Sequence, residues 1–177
     1  MRRVLAGVLG VMLLMSGCSS GGGDDEGPSA TEVKASVDEL ATKVLPALAK
    51  DLDGEFPLAQ GRFIGCDLGR DVKRYVASGE LHAGVADNAK AAEKIRATLT
   101  GAGVDTTIRR DSTVKGKSGG LELVVKPNVV APNSVVAIRP LTIASECHRF
   151  SESEVEAIRR IKPEVYGQPV TGVTGTP

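Results

Sequence analysis

The spacing of apolar residues changes period once along this chain, and that change limits the fold more than any other feature. Val33, Val37, Leu40, Val44 and Leu48 recur at steps of four, three, four and four, with Leu45 and Leu52 widening the stripe. This predicts an amphipathic helix over 31–52. Ser29 and Glu32 stand three apart at its start, the spacing of a capping box. Pro46 lies inside, removes the hydrogen bond to residue 42 and predicts a kink. A stripe of this width is a core face far more often than a partner-binding face.

Beyond it the period falls to two. A glycine- and proline-rich loop leads into "RFIGCD", a short strand candidate ending at Cys66. Then Tyr75, Ala77, Gly79, Leu81, Ala83 and Val85 alternate with Arg74, Ser78, Glu80 and His82, the pattern of a half-buried strand with His82 on its polar face. Asp87 can cap a second helix carrying Ala92, Ile95, Leu99 and Ala102, stopped by Gly101 and Gly103. "VDTTIRR", "LELVV" after the turn signal "KSGG", and "SVVAIRPLTIASEC" predict three further strands, with Pro140 pointing to an edge or a bulge in the last. Ser151 and Glu154 open a short third helix that runs to Ile161 and is stopped by Pro163. Strands joined by turns pair antiparallel, so the expected class is α+β: a two-layer sandwich, antiparallel sheet with two main helices packed on one face. The other face of such a sheet can stay solvated or carry a ligand or partner. Aromatic residues make up 3% of the chain and tryptophan is missing, so the core must be Val, Leu, Ile and Ala, and a pocket built on aromatic stacking is not expected.

The two ends are outside this pattern. Arg2 and Arg3 precede an apolar run from Val4 to Met15, too short for a membrane span and of the right length for an export signal. A twin-arginine signal is not indicated, because the polar residues and Phe-Leu that follow its paired arginines are missing. The run ends in Leu14-Met15-Ser16-Gly17-Cys18, which resembles the bacterial lipobox, with Met15 where leucine is commonest. The resemblance implies cleavage after residue 17 and a diacylglyceryl thioether on Cys18, often joined by an N-acyl chain. Each buried methylene contributes about 0.8 kcal/mol, so two or three chains anchor durably. The expected localisation is extracytoplasmic, at a cell membrane. Residues 18–28 then form a lipidated flexible tether of serine, glycine, acid and proline with a coil-like reach of roughly 17 Å. Residues 29–163 are the single folded domain, long enough for a real core, and 164–177 have the composition of a disordered tail.

Charge narrows the partners. Removing Arg2 and Arg3 from 22 basic residues leaves 20 against 22 acidic ones, a net charge of two negative. Neither nucleic acid nor an anionic lipid surface is indicated by that balance.

The long helix, "GCD" at 65–67, "HAGVADNAKAAEKIRATLTGAGVDT" at 82–106, "SGGLELVV" and "IASECHRF" together resemble the LppA-like lipoproteins of mycobacteria and relatives, over about residues 31–150. That resemblance implies an extracytoplasmic compartment, an α+β fold and the pairing of two cysteines. It brings no catalytic residues and no settled activity.

Compartment argues for the same pairing. With Cys18 lipidated, Cys66 and Cys147 remain in an exported chain, and a disulfide is their simplest fate. A sharper alternative gathers Cys66, Asp67, Glu146, Cys147 and His148 into a zinc site or a Cys–His nucleophile pair. Against it, no C-x-x-C or H-x-x-x-H organises such a site, and neighbours on a strand point to opposite faces. No G-x-S-x-G appears, "GAG" at 101–103 is a helix stop rather than a phosphate cradle, and Asp51, Asp53, Glu152, Glu154 and Glu156 look like solvated helix-end charges. No catalytic residue, metal or cofactor is assigned. The expected function is a lipid-anchored envelope lipoprotein with a non-catalytic domain that binds a protein, an envelope polymer or an apolar ligand. A small envelope hydrolase or a thiol- or metal-dependent enzyme is the alternative.

Overall fold

The computed structural model describes residues 27–130 and 134–166; the expected signal peptide, Cys18 and most of the expected tether and tail lie outside them. Helix α1 (Ala30–Asp51) begins at the expected capping box: Ser29 Oγ accepts from the Glu32 amide, and Glu32 reaches back to the Ser29 amide at 2.9 Å. Its stripe of Val33, Val37, Leu40, Ala41, Val44, Leu45 and Leu48 is buried. Pro46 is exposed and the helix continues through it. The carbonyl it leaves unbonded belongs to the exposed Thr42, where water can pair it.

Two short segments, β1 (Gly54–Glu55) and β2 (Ala59–Cys66), run along one side of the long strand β3 (Gly69–Ala83). Helix α2 (Asn88–Gly101) is capped by Asp87, whose carboxylate accepts from the Lys90 amide at 2.7 Å. Then come β4 (Asp105–Ile108), β5 (Val114–Ser118), β6 (Leu121–Val125), β7 (Ala137–Ser145), β8 (His148–Arg149), helix α3 (Glu152–Ile158) and β9 (Glu164–Val165). All pairings are antiparallel, in the order β4-β5-β6-β7-β3-β2-β9, with β1 and β8 also on β3. This is the expected α+β sandwich: α1 lies against β3 and β7, α2 against β4 and β5, and all three helices feed one core cluster.

Three details differ from the sequence reading. Strand β5 was not expected, because Lys115, Gly116 and Lys117 hide its alternation. It forms the first arm of a hairpin whose two-residue turn, Gly119-Gly120, has positive φ at both positions, as a tight turn matching strand twist requires. Strand β7 is central rather than an edge, with Pro140 inside it. The Lys126 amide donates to the Pro140 carbonyl at 2.9 Å, so the missing Pro140 donor faces the carbonyl of the exposed Lys126, just past the end of β6, where water can pair it. Finally, the folded domain does not stop at 163. Glu164 and Val165 pair with Gly61 and Gln60, the Tyr166 amide donates to the Ala59 carbonyl at 2.9 Å, and Tyr166 is buried. An isolated aromatic between Pro163 and Gly167 has no periodicity to betray it.

Candidate functional site

The stretch "SECHRF" is where the fold is tied together. Cys147 is disulfide-bonded to Cys66, 81 residues away, with a Cα–Cα distance of 6.4 Å. Ser145 Oγ accepts from the Tyr75 amide at 3.1 Å and donates to the Glu146 carbonyl at 2.9 Å. His148 pairs with Lys73 in β8, Arg149 forms an ion pair with Asp71, and Phe150 is buried in the core. The Phe150 ring meets Phe63 edge-on at 6.0 Å, and Phe63 meets Tyr75 at 4.9 Å. The thiol of a nucleophile pair is therefore consumed. Among the described residues no group of three His, Cys, Asp or Glu side chains is placed to hold a metal ion. His82 lies at the opposite end of β3, with its Nε2 3.8 Å from Glu80 Oε2.

The acidic residues near helix ends do more than meet solvent. Glu154 Oε2 accepts from the Ser151 amide at 3.2 Å while Oε1 accepts from the Ala30 amide at 3.1 Å, so one carboxylate serves the first turns of two helices. Asp51 Oδ2 accepts from Thr98 Oγ1 at 2.6 Å and links α1 to α2.

Two polar clusters beneath the surface were not legible beforehand. Under the C-terminal strand, Tyr166 donates its hydroxyl hydrogen to Asp38, Lys34 pairs with Asp38 and lies 2.9 Å from Glu164, and the Lys34 ammonium sits 5.6 Å from the Tyr75 ring centre. Burial and the Asp38 carboxylate push the Tyr166 phenol well above its ordinary range; for Lys34, burial works downward but the bonds to Asp38 and Glu164 outweigh it. Tyr166 therefore stays protonated and Lys34 charged across the physiological range, and the two serve as a clasp rather than as acid or base. The second cluster centres on Arg139, which is 1% exposed. Nη2 donates to Asn88 Oδ1 at 3.2 Å and to the Ala86 carbonyl at 3.4 Å, while Nη1 has no partner among the described residues. Burial lowers the Arg139 pKa, and the charge of Asp87 opposes this. Arg139 is in phase with the buried Ala137, Leu141 and Ile143, so its parity was the available signal.

The remaining surface of interest is the sheet face turned away from the helices. Its side chains follow from the register. One row reads Arg62, Val76, Ala144, Glu122, Lys117, Asp105; the next reads Gln60, Ser78, Thr142, Val124, Lys115, Thr107. Val76 and Ala144 are buried yet stand outside the core cluster. Their cross-strand partners in the row are Arg62 and Glu122. Lys115 Nζ lies 3.3 Å from Glu122 Oε1, which orders the centre of the face.

No protein family, curated protein or solved structure matches this chain.

At the two ends of α1 are open clefts. One, about 520 Å³, is lined by Lys50, Asp53, Glu55, His82 and Val136 among others, a set with no hydroxyl or thiol nucleophile. The other lies between Gly27, Glu32, the Gly119-Gly120 turn, Glu146 and His148. No helix of the described residues is long and apolar enough to cross a membrane.

Proposed function

We propose that this is an exported, lipid-anchored envelope protein, held by lipid on Cys18, whose domain is a non-catalytic binding module for a partner protein. The observation that carries the binding role is the one-sided helix layer. Three helices bury their apolar stripes on one face of a nine-stranded sheet, and the opposite face presents Arg62, Glu122, Lys117 and Asp105 in a row of alternating sign. A uniformly charged polymer would meet repulsion on such a face, and an apolar ligand would meet charged side chains in its open cleft, which Arg74, Asp105, Lys117, Glu122 and Glu146 line. A folded partner with interspersed charges fits. Support for export and anchoring comes from the sequence of residues 1–18, the resemblance to LppA-like lipoproteins, and a disulfide of the kind kept in oxidising compartments.

Two measurements test this. Mass spectrometry and fractionation compare the native chain with Cys18→Ser; a variant of unchanged processing that stays membrane-bound refutes the anchor. Crosslinking in intact cells compares the native chain with Glu122→Lys/Lys117→Glu. The expected result is a defined crosslinked partner that the charge-exchanged variant loses at unchanged thermal stability. Retention of that partner by the variant refutes the face.

A further inference from the structure

The two edges of the sheet are built differently. One ends in β9, which has two residues and follows Pro163, a residue with no N–H to offer. The other is β4, and no strand lies on its outer side among the described residues. The Arg109 amide donates to the Thr113 carbonyl at 2.9 Å, which sets the phase of the β4–β5 ladder, so Asp105 and Thr107 turn their backbone groups toward Lys117 and Lys115. Thr106 and Ile108 therefore turn theirs outward, with no hydrogen-bond partner among the described residues. Helix α2 leaves this edge uncovered. Between them lies an open groove of about 530 Å³, lined by Arg96, Ala97, Thr100, Val104, Asp105 and Thr106. Asp105 and Arg109 are exposed, and neither is in an ion pair among the described residues. The charge of Arg109 reaches Asp111, but that carboxylate already accepts from the Thr113 amide at 3.1 Å.

We propose that β4 is a self-pairing edge: two copies of this chain join their β4 strands antiparallel about a two-fold axis at Thr107, and one sheet runs through both. That axis sets Thr106 opposite Ile108 of the second copy. These are the residues whose backbone groups face outward, so each such pair exchanges two N–H···O bonds. Charge selects the register. On the open face Asp105 meets Arg109 of the second copy, and the symmetry makes this ion pair twice. The row Glu122, Lys117, Asp105 then continues across the junction with a cation. Moving the axis to Ile108 would set Asp105 against Asp111, and moving it to Thr106 would place Arg109 opposite Gly103 and call on the Val104 amide, which already donates to Leu99. The helix side agrees. Thr106 lies 3.0 Å from Thr100 there, and Ile108 packs half-buried against the core cluster. Ile108 of the second copy stands beside Thr106 at the mouth of the groove under α2, where its remaining apolar surface is covered. Within β4 neither proline nor a bulge blunts the edge.

The contact is short, so the dimer is concentration-dependent and is trapped where it forms. In intact cells the full chain carrying Thr107→Cys is oxidised with copper phenanthroline beside the native chain, which sets the background. The expected result is a disulfide-linked dimer, because the two Thr107 positions face each other across the axis. Asp105→Cys, which this register places roughly 14 Å from its own counterpart along the strand, should give no dimer alone and should crosslink when coexpressed with Arg109→Cys. Adding Asp105→Arg to the Thr107→Cys chain should lower the yield about tenfold at unchanged thermal midpoint, and adding Arg109→Asp as well should restore it. Asp105→Cys alone crosslinking as fast as Thr107→Cys overturns the register and the proposal with it, as does a Thr107→Cys dimer indifferent to Asp105→Arg. A Thr107→Cys crosslink to another protein in place of a second copy overturns self-pairing. None of these outcomes depends on Cys18 or on the partner crosslink at Glu122 and Lys117.

Discussion

Tyr166 hydrogen-bonds Asp38 across 128 positions of sequence, and this contact fastens the last strand to the first helix. Around it Lys34 bridges Asp38 to Glu164, and the Tyr75 hydroxyl lies in the same buried space with no hydrogen-bond partner among the described residues. The clasp makes residues 164–166 part of the domain.

Tyr166→Phe should therefore lower stability by about 1–2 kcal/mol, the range for a hydrogen bond to a charged acceptor that retains a second partner. Ending the chain after Pro163 should cost more, because burial of the whole Tyr166 side chain is lost too. Urea denaturation of both variants checks this; equal midpoints for all three proteins would show that the clasp contributes nothing.

Gly61 sits under both tyrosines. A Cβ there would fall far inside van der Waals contact with the Tyr75 and Tyr166 hydroxyls. Gly61→Ala should destabilise by about 1–3 kcal/mol through overpacking. Because Tyr166 is one of the two clashing groups, the cost should shrink in a Tyr166→Phe background, and a double-mutant cycle measures the coupling.

Replacing Cys66 and Cys147 together by serine should cost up to about 4.5 kcal/mol, the chain-entropy value for a loop of this length. In a Cys18→Ser chain, thiol titration should find no free cysteine before reduction and both after it. Free thiols in the native protein would return the nucleophile and metal alternatives to consideration.

Acid should loosen the start of α1 and the β4–β5 turn. The Ser29 amide and then its hydroxyl hold the Glu32 carboxyl below the ordinary glutamate value, and the Thr113 amide does the same for Asp111. A depressed folded pKa means that the stabilisation is complete above the unfolded value and fades as pH falls through the folded one, so the loss belongs below about pH 5. Thermal midpoints followed from neutral pH into that range should fall, and Glu32→Gln should fall less steeply from a lower starting point.

Arg139 offers a test of opposite sign. A buried guanidinium with one nitrogen unpaired is costly, so Arg139→Met should be neutral or stabilising, whereas Arg139→Ala leaves a cavity and should destabilise. Calorimetry on the pair distinguishes a desolvation cost from a needed hydrogen-bond hub with Asn88 and Asn128.

Local patterns carried the parts of this fold that depend on neighbours in sequence. The Ser29 and Ser151 capping boxes, the α1 stripe from Val33 to Leu52, the alternation along β3 and the Gly119-Gly120 turn all appear where spacing places them, since period and cap chemistry act over a few residues. Cysteine count, with Cys18 set aside by the expected lipobox, was enough to pair Cys66 with Cys147. Strand order, by contrast, depends on which edges meet in space, and so Pro140 could not be placed in a central strand from its own neighbourhood. The same holds for Arg139 beneath α2 and for Tyr166 under α1, whose partners are 51 and 128 residues away. It holds for the surface as well. A net charge sums every residue, while the row of Arg62, Glu122, Lys117 and Asp105 exists only once β2, β6, β5 and β4 share one sheet. Long-range packing creates that neighbourhood, and no window of sequence contains it.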